Sequence, residues 1–304
     1  MEDQHYNGDV WNKEAFATLS LFGWSRIGDY DMDVTGVDSK KMGLDTIVSF
    51  STPLKTRPQL AILEAKRYLT TSFNKSLLQD WIDRLDQKLL KLRNSEKFQQ
   101  QFPLITECTT ADVGIIVILF SDTDNYKSFQ CKFVESLLQI SLSSRRRKAG
   151  VNKIYVLDNT LFMKLFSMQE AINEIKSNCK SFFFLYPSRF IDGQPICRNN
   201  TLSIEYIYSD IIFAERYKDN ELQSIIFYFG LLDFYSFETL FEAYAQTSLY
   251  DKKIPIYLYV YNPDSEFRKI EPDIKERIFK DFKIEILCMA SSNNIPSYIQ
   301  NAIK

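Results

Sequence analysis

The stretch from residue 59 to 68 places a charged pair at the end of an apolar run. Residues 60–63 are Leu, Ala, Ile and Leu, which is typical of a buried strand, and Glu64 and Lys66 follow. Side chains two positions apart in a strand share a face, so Glu64 and Lys66 emerge together while Ala65 points the other way. Because burying unpaired charges is costly, this strand end is where the sequence predicts a functional site.

A second carboxylate, Asp45, opens another apolar stretch at residues 44–50. Two carboxylates and a lysine on neighbouring strands suit a hard cation, and Mg²⁺ prefers oxygen ligands, with Mn²⁺ as the alternative ion. We expect Asp45 and Glu64 to supply side-chain ligands and the carbonyl of Ala65 a third. Lys66 would orient a water or stabilise charge in the transition state. Asp38 competes with Asp45 but precedes no apolar strand.

The scarcity of certain residues excludes several classes of chemistry. His5 is the single histidine, so His-based zinc sites, Ser-His-Asp triads and Cys-His dyads lack their key residue. With 9 glycines there is no phosphate-binding G-x-x-x-x-G-K-[ST] or G-x-G-x-x-G motif. The five cysteines form no C-x-x-C pair, which indicates free thiols and a cytoplasmic protein. No run of 18 apolar residues predicts a membrane span.

The periodicity of the first half predicts one α/β domain over residues 1–148. Apolar residues at helical spacing alternate with short apolar runs, and the basic segment 143–150 closes the domain. The predicted helices are 11–22, 75–93 and 129–142, and the predicted strands are 24–27, 44–50, 59–68 and 112–120. Asp29, Asp31 and Asp33 are assigned to a solvated loop.

The second half predicts another α/β domain over residues 149–304. A strand, a helix and a strand are expected at 153–157, 160–178 and 181–186, followed by a loop over 187–200. Paired strands at 202–208 and 211–217, a helical region at 220–248, strands at 254–261 and 284–288, and helices at 271–282 and 295–303 complete it. The order echoes the first half, and 214–218 echoes 63–68. The second domain, which we expect to serve partner or DNA binding, is therefore either an inactive, degenerate repeat, with Glu215 in the place of Glu64, or an unrelated domain.

Asp45 followed by Glu64-Ala65-Lys66 on the next strand, within this element order, resembles the PD-(D/E)XK nuclease superfamily. The resemblance implies a restriction-endonuclease-like mixed sheet flanked by helices and metal-dependent hydrolysis of DNA phosphodiesters. It also implies a glutamate on the first helix near the metal, and Glu14 matches that position. Leu44 replaces the proline of the pattern, and Gln79 is followed four places on by Asp83 rather than tyrosine.

Basic residues near the predicted site would meet DNA phosphates or remain solvated. They are Lys55, Arg57 and Arg67, with Lys40, Lys41 and the segment 145–148 as further candidates. The net charge of -2 provides no general attraction for DNA, which favours help from a partner subunit or a homodimer. The build is similar to Mrr-like enzymes and to nuclease subunits of GAPS-type antiphage systems. The alternatives are a non-catalytic scaffold subunit with a nuclease fold and a dimeric restriction enzyme.

Overall fold

The computed structural model describes residues 8–53, 55–122, 126–141, 152–191 and 194–289. The chain divides into two compact units. The first takes in nearly all of the chain up to Phe162, and the second begins at Met163. In the described ranges no helix is long and apolar enough to cross a membrane.

The first unit is built on a five-stranded mixed sheet. Its elements are α1 (Gly8–Ser20), β1 (Ser25–Ile27), β2 (Met32–Thr35), β3 (Lys41–Leu44), β4 (Thr46–Phe50), β5 (Gln59–Tyr68), α2 (Lys75–Leu92), α3 (Glu96–Gln101), β6 (Val113–Phe120), α4 (Tyr126–Leu138) and β7 (Lys153–Leu157). The strand order is β1-β4-β5-β6-β7, and β2 and β3 form a separate hairpin. β4 is antiparallel to β1 and β5, whereas β5, β6 and β7 are parallel.

Helix α2 lies against the centre of this sheet. The side chain of Asn74 caps its first turn by accepting a hydrogen bond from the Leu77 amide at 2.9 Å. Its apolar stripe packs on β5 and β6, and every residue of β6 is buried. Gly114 of β6 lets the helix come close, because a Cβ at that position would lie 2.7 Å from the Leu85 side chain. The predicted mixed sheet flanked by helices is confirmed.

The second unit contains a six-stranded mixed sheet in the order β13-β12-β11-β10-β8-β9. Its elements are α5 (Asn159–Ser177), which begins in the first unit, β8 (Ser181–Ile191), β9 (Gln194–Asn199), α6 (Ile204–Ile207), β10 (Ile211–Lys218), β11 (Glu221–Tyr228), α7 (Phe234–Ala245), β12 (Ile256–Tyr261), α8 (Ser265–Asp273) and β13 (Ile284–Met289).

Five strands of each unit share one connectivity. β10 is antiparallel to β8 and β11, and β11, β12 and β13 are parallel, as are β5, β6 and β7. In each unit one helix precedes the first strand, and a helix joins each pair of parallel strands. The first unit has one additional helix, α3, between β5 and β6. In this shared order β11 takes the place of β5, and the interpretation of the second unit as a degenerate repeat stays a prediction.

Several predicted elements of the second half were wrong. Residues 221–228 form β11 rather than a helix. Most of this strand is buried on both faces, so its apolar residues form a continuous run, and such a run does not distinguish a strand from a buried helix. Residues 204–207 form one helical turn instead of a strand, so β10 pairs with β11 and β8. The predicted loop at 187–200 contains the end of β8 and all of β9.

Two differences concern the first half. The loop assigned to the acidic residues contains β2, which pairs with β3. The predicted domain junction at residue 148 precedes β7, yet β7 pairs with β6 and completes the first sheet. The basic segment 145–148 and the predicted helix at 295–303 lie outside the described residues.

Candidate active site

The antiparallel pair β4–β5 brings Asp45 next to Glu64. Thr46 pairs with Leu63, so the residues one step beyond, Asp45 and Glu64, face each other at the end of the ladder. Asp45 Oδ2 accepts a hydrogen bond from the Ala65 amide at 2.9 Å. Lys66 Nζ lies 3.7 Å from Asp45 Oδ2 and 3.4 Å from Glu64 Oε2. The structure thus brings the three residues of the sequence motif together.

These three side chains line a cavity of about 400 Å³, and α2 adds Trp81, Arg84 and Lys88 to its lining. The ammonium of Lys88 contacts Glu64 Oε1, so each oxygen of Glu64 meets a lysine. The Glu64 side chain is only 10% exposed, which makes both ion pairs stronger than pairs at an open surface.

The cavity disfavours ionisation of Asp45 beside the Glu64 carboxylate. Burial raises the pKa of Asp45 to about 6, and the neighbouring Glu64 carboxylate adds to the rise, whereas Lys66 opposes it. A cation bound between the two carboxylates would remove this repulsion. An added cation would compete for the carboxylates with Lys66 and Lys88, whose ammonium groups already contact them.

The donor set fits Mg²⁺ or Mn²⁺. Among the described residues no group of three or more Asp, Glu, Cys or His side chains could hold a metal ion, so at most two side chains, Asp45 and Glu64, would serve as ligands here. The amide and carbonyl of one strand residue point to the same side, so the Ala65 carbonyl is directed to the same side as the amide that bonds Asp45. Magnesium commonly uses one or two carboxylates and completes its shell with water and phosphate oxygens.

Asp31 joins the cavity although the sequence assigned it to a solvated loop. Its backbone has a φ of 54°, its amide donates to the Asp45 carbonyl at 2.9 Å, and the amide nitrogen of Asn12 donates to its Oδ1 at 2.6 Å. The other acidic candidates lie elsewhere. Asp29 is exposed beside Arg26, Asp33 is exposed on β2, and Asp38 pairs with Lys91 at 3.1 Å.

Glu14 is half-buried on α1 and is not among the described residues that line the cavity. Gln79 does not line it either; its side chain donates to Asp83 and to the Ser141 carbonyl. The tentative metal role of Glu14 therefore has no contact in the structure to support it.

The basic residues chosen for DNA are dispersed. Lys55 pairs with Asp112 at 3.7 Å, and Arg57 Nε donates to the Glu107 carbonyl at 3.0 Å. Both precede β5, and Glu64 lies five residues into that strand, about 16 Å from its first residue at ~3.3 Å per residue. Arg67 follows Lys66 and so points to the other face of β5. Lys40 and Lys41 are exposed at the start of β3.

Two further cations, Arg84 and Lys88, reach the cavity from α2 and were missed. Trp81, Arg84 and Lys88 follow one another at spacings of three and four, which places them along one side of the helix. A usable signal was present, because Lys88 lies beside the apolar stripe of Leu85 and Leu89 instead of on the solvated face.

Comparison with known proteins identifies the first unit. A family model described as the GAPS4 protein PD-(D/E)XK nuclease domain matches residues 1–161. No curated protein and no solved structure matches the chain significantly. The matched segment covers more than half of the 304 residues and includes the whole cavity described above. The chain belongs to the GAPS4 family of proteins with a PD-(D/E)XK nuclease domain.

Proposed function

We propose that the first unit is a metal-dependent DNA endonuclease that acts in prokaryotic antiviral defence together with a partner subunit. The observation that carries the proposal is the meeting of Asp45, Glu64 and Lys66 in one cavity within a chain of this nuclease family. Mg²⁺ is the proposed ion, with Mn²⁺ as its substitute, because the donors are oxygen atoms.

The chain would hold the ion through Asp45, Glu64 and the Ala65 carbonyl. The bound ion would acidify a water molecule and polarise a phosphate oxygen. Lys66 is placed to hold the attacking water or to stabilise the charge that develops on the phosphate, because its ammonium already lies between the two carboxylates. The Ala65 amide keeps Asp45 in position through its hydrogen bond.

A polyanionic substrate would meet cations of α2 in this cavity. Arg84 and Lys88 line it together with the two carboxylates; Lys88 contacts Glu64, and the Arg84 side chain, which pairs with Asp80 at 2.7 Å, is 71% exposed. A phosphate bound to the metal would lie within the same cavity as these cations. The net charge of -2 suggests that the remaining DNA contacts come from a partner subunit or a second copy of the chain.

A second candidate is a non-catalytic subunit with a nuclease fold. One observation favours it: both oxygens of Glu64 are already engaged by lysines, which leaves the carboxylate satisfied without a metal. In that case the cavity would serve only to stabilise the sheet.

The test is cleavage of supercoiled plasmid by the full chain, alone and co-purified with the product of the neighbouring gene, in Mg²⁺, Mn²⁺, Ca²⁺ or EDTA. We expect nicking and linearisation in Mg²⁺ and Mn²⁺ only, and loss of both in Glu64→Gln. Lys91→Met is the matched control, because Lys91 lies on the same helix but pairs with Asp38. Equal cleavage by the parent and Glu64→Gln, or no cleavage and no metal binding with the partner present, would overturn the proposal.

A further inference from the structure

Lys88 is the least expected member of the cavity. It lies on α2, 24 residues after Glu64 in the chain, and its ammonium contacts Glu64 Oε1. Lys66 holds the other oxygen of Glu64 and also reaches Asp45, so Lys66 remains near a carboxylate even if Glu64 is occupied. Lys88 has no comparable contact with Asp45 among the ion pairs of the described residues.

The contact between Lys88 and Glu64 opposes metal binding. A carboxylate oxygen that accepts from an ammonium offers less electron density to a metal ion, and a divalent cation at Glu64 would repel the ammonium at close range. Lysine is suited to exchange partners because its charge is carried on a flexible four-carbon stem with three rotatable donors. The Lys88 side chain is 24% exposed and lines the same cavity as Arg84, so its ammonium can turn into the cavity without leaving α2.

We propose that Lys88 changes partner when the metal ion binds: it neutralises Glu64 in the metal-free site, and it holds a phosphate of the DNA backbone once the ion takes Glu64. The inference rests on the proposed function and adds a positioning residue outside the D…E-x-K motif. Its consequence is that metal and DNA bind cooperatively. The ion releases the lysine for the phosphate, and a phosphate that engages the lysine lowers its competition for Glu64.

The first experiment measures Mn²⁺ binding to the full chain without DNA, by calorimetry or by the spin-resonance signal of the free ion. Lys88→Met keeps the length of the side chain and removes the charge, so we expect it to bind Mn²⁺ about tenfold more tightly, within the usual range for coupled sites. Lys88→Arg keeps the charge and should bind Mn²⁺ as the parent does. Lys91→Met, on the same helix, should also match the parent.

The second experiment measures the affinity for a short DNA duplex by fluorescence anisotropy, in Ca²⁺ and in EDTA. Lys88→Met should weaken binding about fivefold in Ca²⁺, the effect of losing one phosphate contact, and leave binding in EDTA unchanged. A merely structural role for Lys88 would change both conditions alike. Thermal melting of each variant verifies the fold, and Lys88→Gln replaces the methionine variant if that variant aggregates.

The outcomes separate this inference from the nuclease proposal. Parent protein that binds Mn²⁺ and cuts DNA, with a Lys88→Met variant of unchanged or weaker Mn²⁺ affinity, would overturn the partner exchange and leave the nuclease intact. The same holds if the DNA affinity of Lys88→Met falls equally in Ca²⁺ and EDTA. Parent protein that neither binds Mn²⁺ nor cuts DNA would overturn both.

Discussion

Five strands of each unit share one order, and the two units carry different side chains where the antiparallel ladder meets the parallel strands, a position we call the corner of the sheet. In the first, the ladder of β4 and β5 ends at Thr46 and Leu63, and Asp45 and Glu64 follow. In the second, the ladder of β10 and β11 ends at Ile211 and Tyr228, and Asp210 and Phe229 follow. The Phe229 amide donates to the Asp210 carbonyl at 2.8 Å, which extends the same register.

The second corner has one acidic residue, Asp210, in the place of Asp45, and it lacks the Glu-x-Lys part of the motif. Phe229 stands where Glu64 does, and β11 ends at Tyr228, so it has no strand residue that corresponds to Lys66 of β5. Lys164 of α5 lies 3.2 Å from Asp210 and 5.4 Å from the centre of the Phe229 ring, so an ammonium takes the side of the carboxylate where a cation would sit. The two units thus share a backbone order while the side chains at this corner differ, and a shared order does not by itself imply a shared function.

The strand register also corrects the segment of the second unit that the sequence matched to the Glu64 strand. Residues 214–218 were matched to the strand that carries Glu64, but they belong to β10, which corresponds to β4. Glu215 lies in the middle of that strand opposite Ser224, and Arg198 pairs with it at 2.6 Å. Glu215 is fully buried and paired with a cation, which is a structural arrangement rather than an open metal site.

The largest expected effect tests the first corner. Glu64→Gln and Lys66→Met should each reduce plasmid cleavage at least about 100-fold, because each removes a charge that acts on the reacting phosphate or its ion. Rates are measured from the decay of supercoiled DNA at saturating Mg²⁺. Circular dichroism would verify that the fold is kept. A loss of less than tenfold in both variants would show that the corner is not the catalytic centre.

The next effect is on stability and belongs to the second unit. Arg198→Ala should lower the free energy of unfolding by roughly 3 kcal/mol, because it leaves the buried Glu215 charge without a partner. Burial already raises the pKa of Glu215, and loss of the arginine raises it further. The defect should therefore shrink as the pH falls and Glu215 becomes protonated in the folded state.

Urea denaturation of the parent and Arg198→Ala at pH 5 and pH 8 measures this difference. The double variant Arg198→Ala with Glu215→Gln should recover most of the stability at pH 8, because no buried charge remains. Equal losses at both pH values would contradict the explanation by an unpaired carboxylate.

An effect of opposite sign is expected at Asp45. Its pKa is about 6 in the folded state against 3.8 in the unfolded state, so ionisation of Asp45 costs the metal-free protein stability that sets in above pH 3.8 and is complete above pH 6. Asp45→Asn should therefore stabilise it by about 3 kcal/mol at pH 7.5, and the gain should vanish as the pH falls below about 4. Denaturation in EDTA measures the gain. The same variant should be inactive in cleavage, as expected where function opposes stability.

The sequence allowed the motif to be predicted because its signals are local. The alternation within β5 puts Glu64 and Lys66 on one face, and the apolar stretch after Asp45 marks the adjacent strand. The pattern of α2 places Lys88 beside the apolar stripe, but the sheet residue that it meets depends on how α2 packs, which no local pattern contains. The prediction that Arg57 lies near the site was wrong for a related reason. Arg57 is close to Glu64 in sequence, but the extended strand between them holds them apart in space. β11 was missed because burial on both faces erased the alternation that marks a strand.

The smallest effect is the sharpest test of the comparison. Asp210→Asn removes the one acidic residue that the second corner shares with the first, yet it should leave plasmid cleavage and Mn²⁺ binding unchanged. Its side chain is 63% exposed, and its pair with Lys164 lies at a surface, so the free energy of unfolding should change by at most about 0.5 kcal/mol. Cleavage rate, Mn²⁺ stoichiometry and urea denaturation are measured together. A stoichiometry that falls from two ions to one in this variant would show that the second corner binds metal. Both units would then be metal-binding, and the comparison would fail.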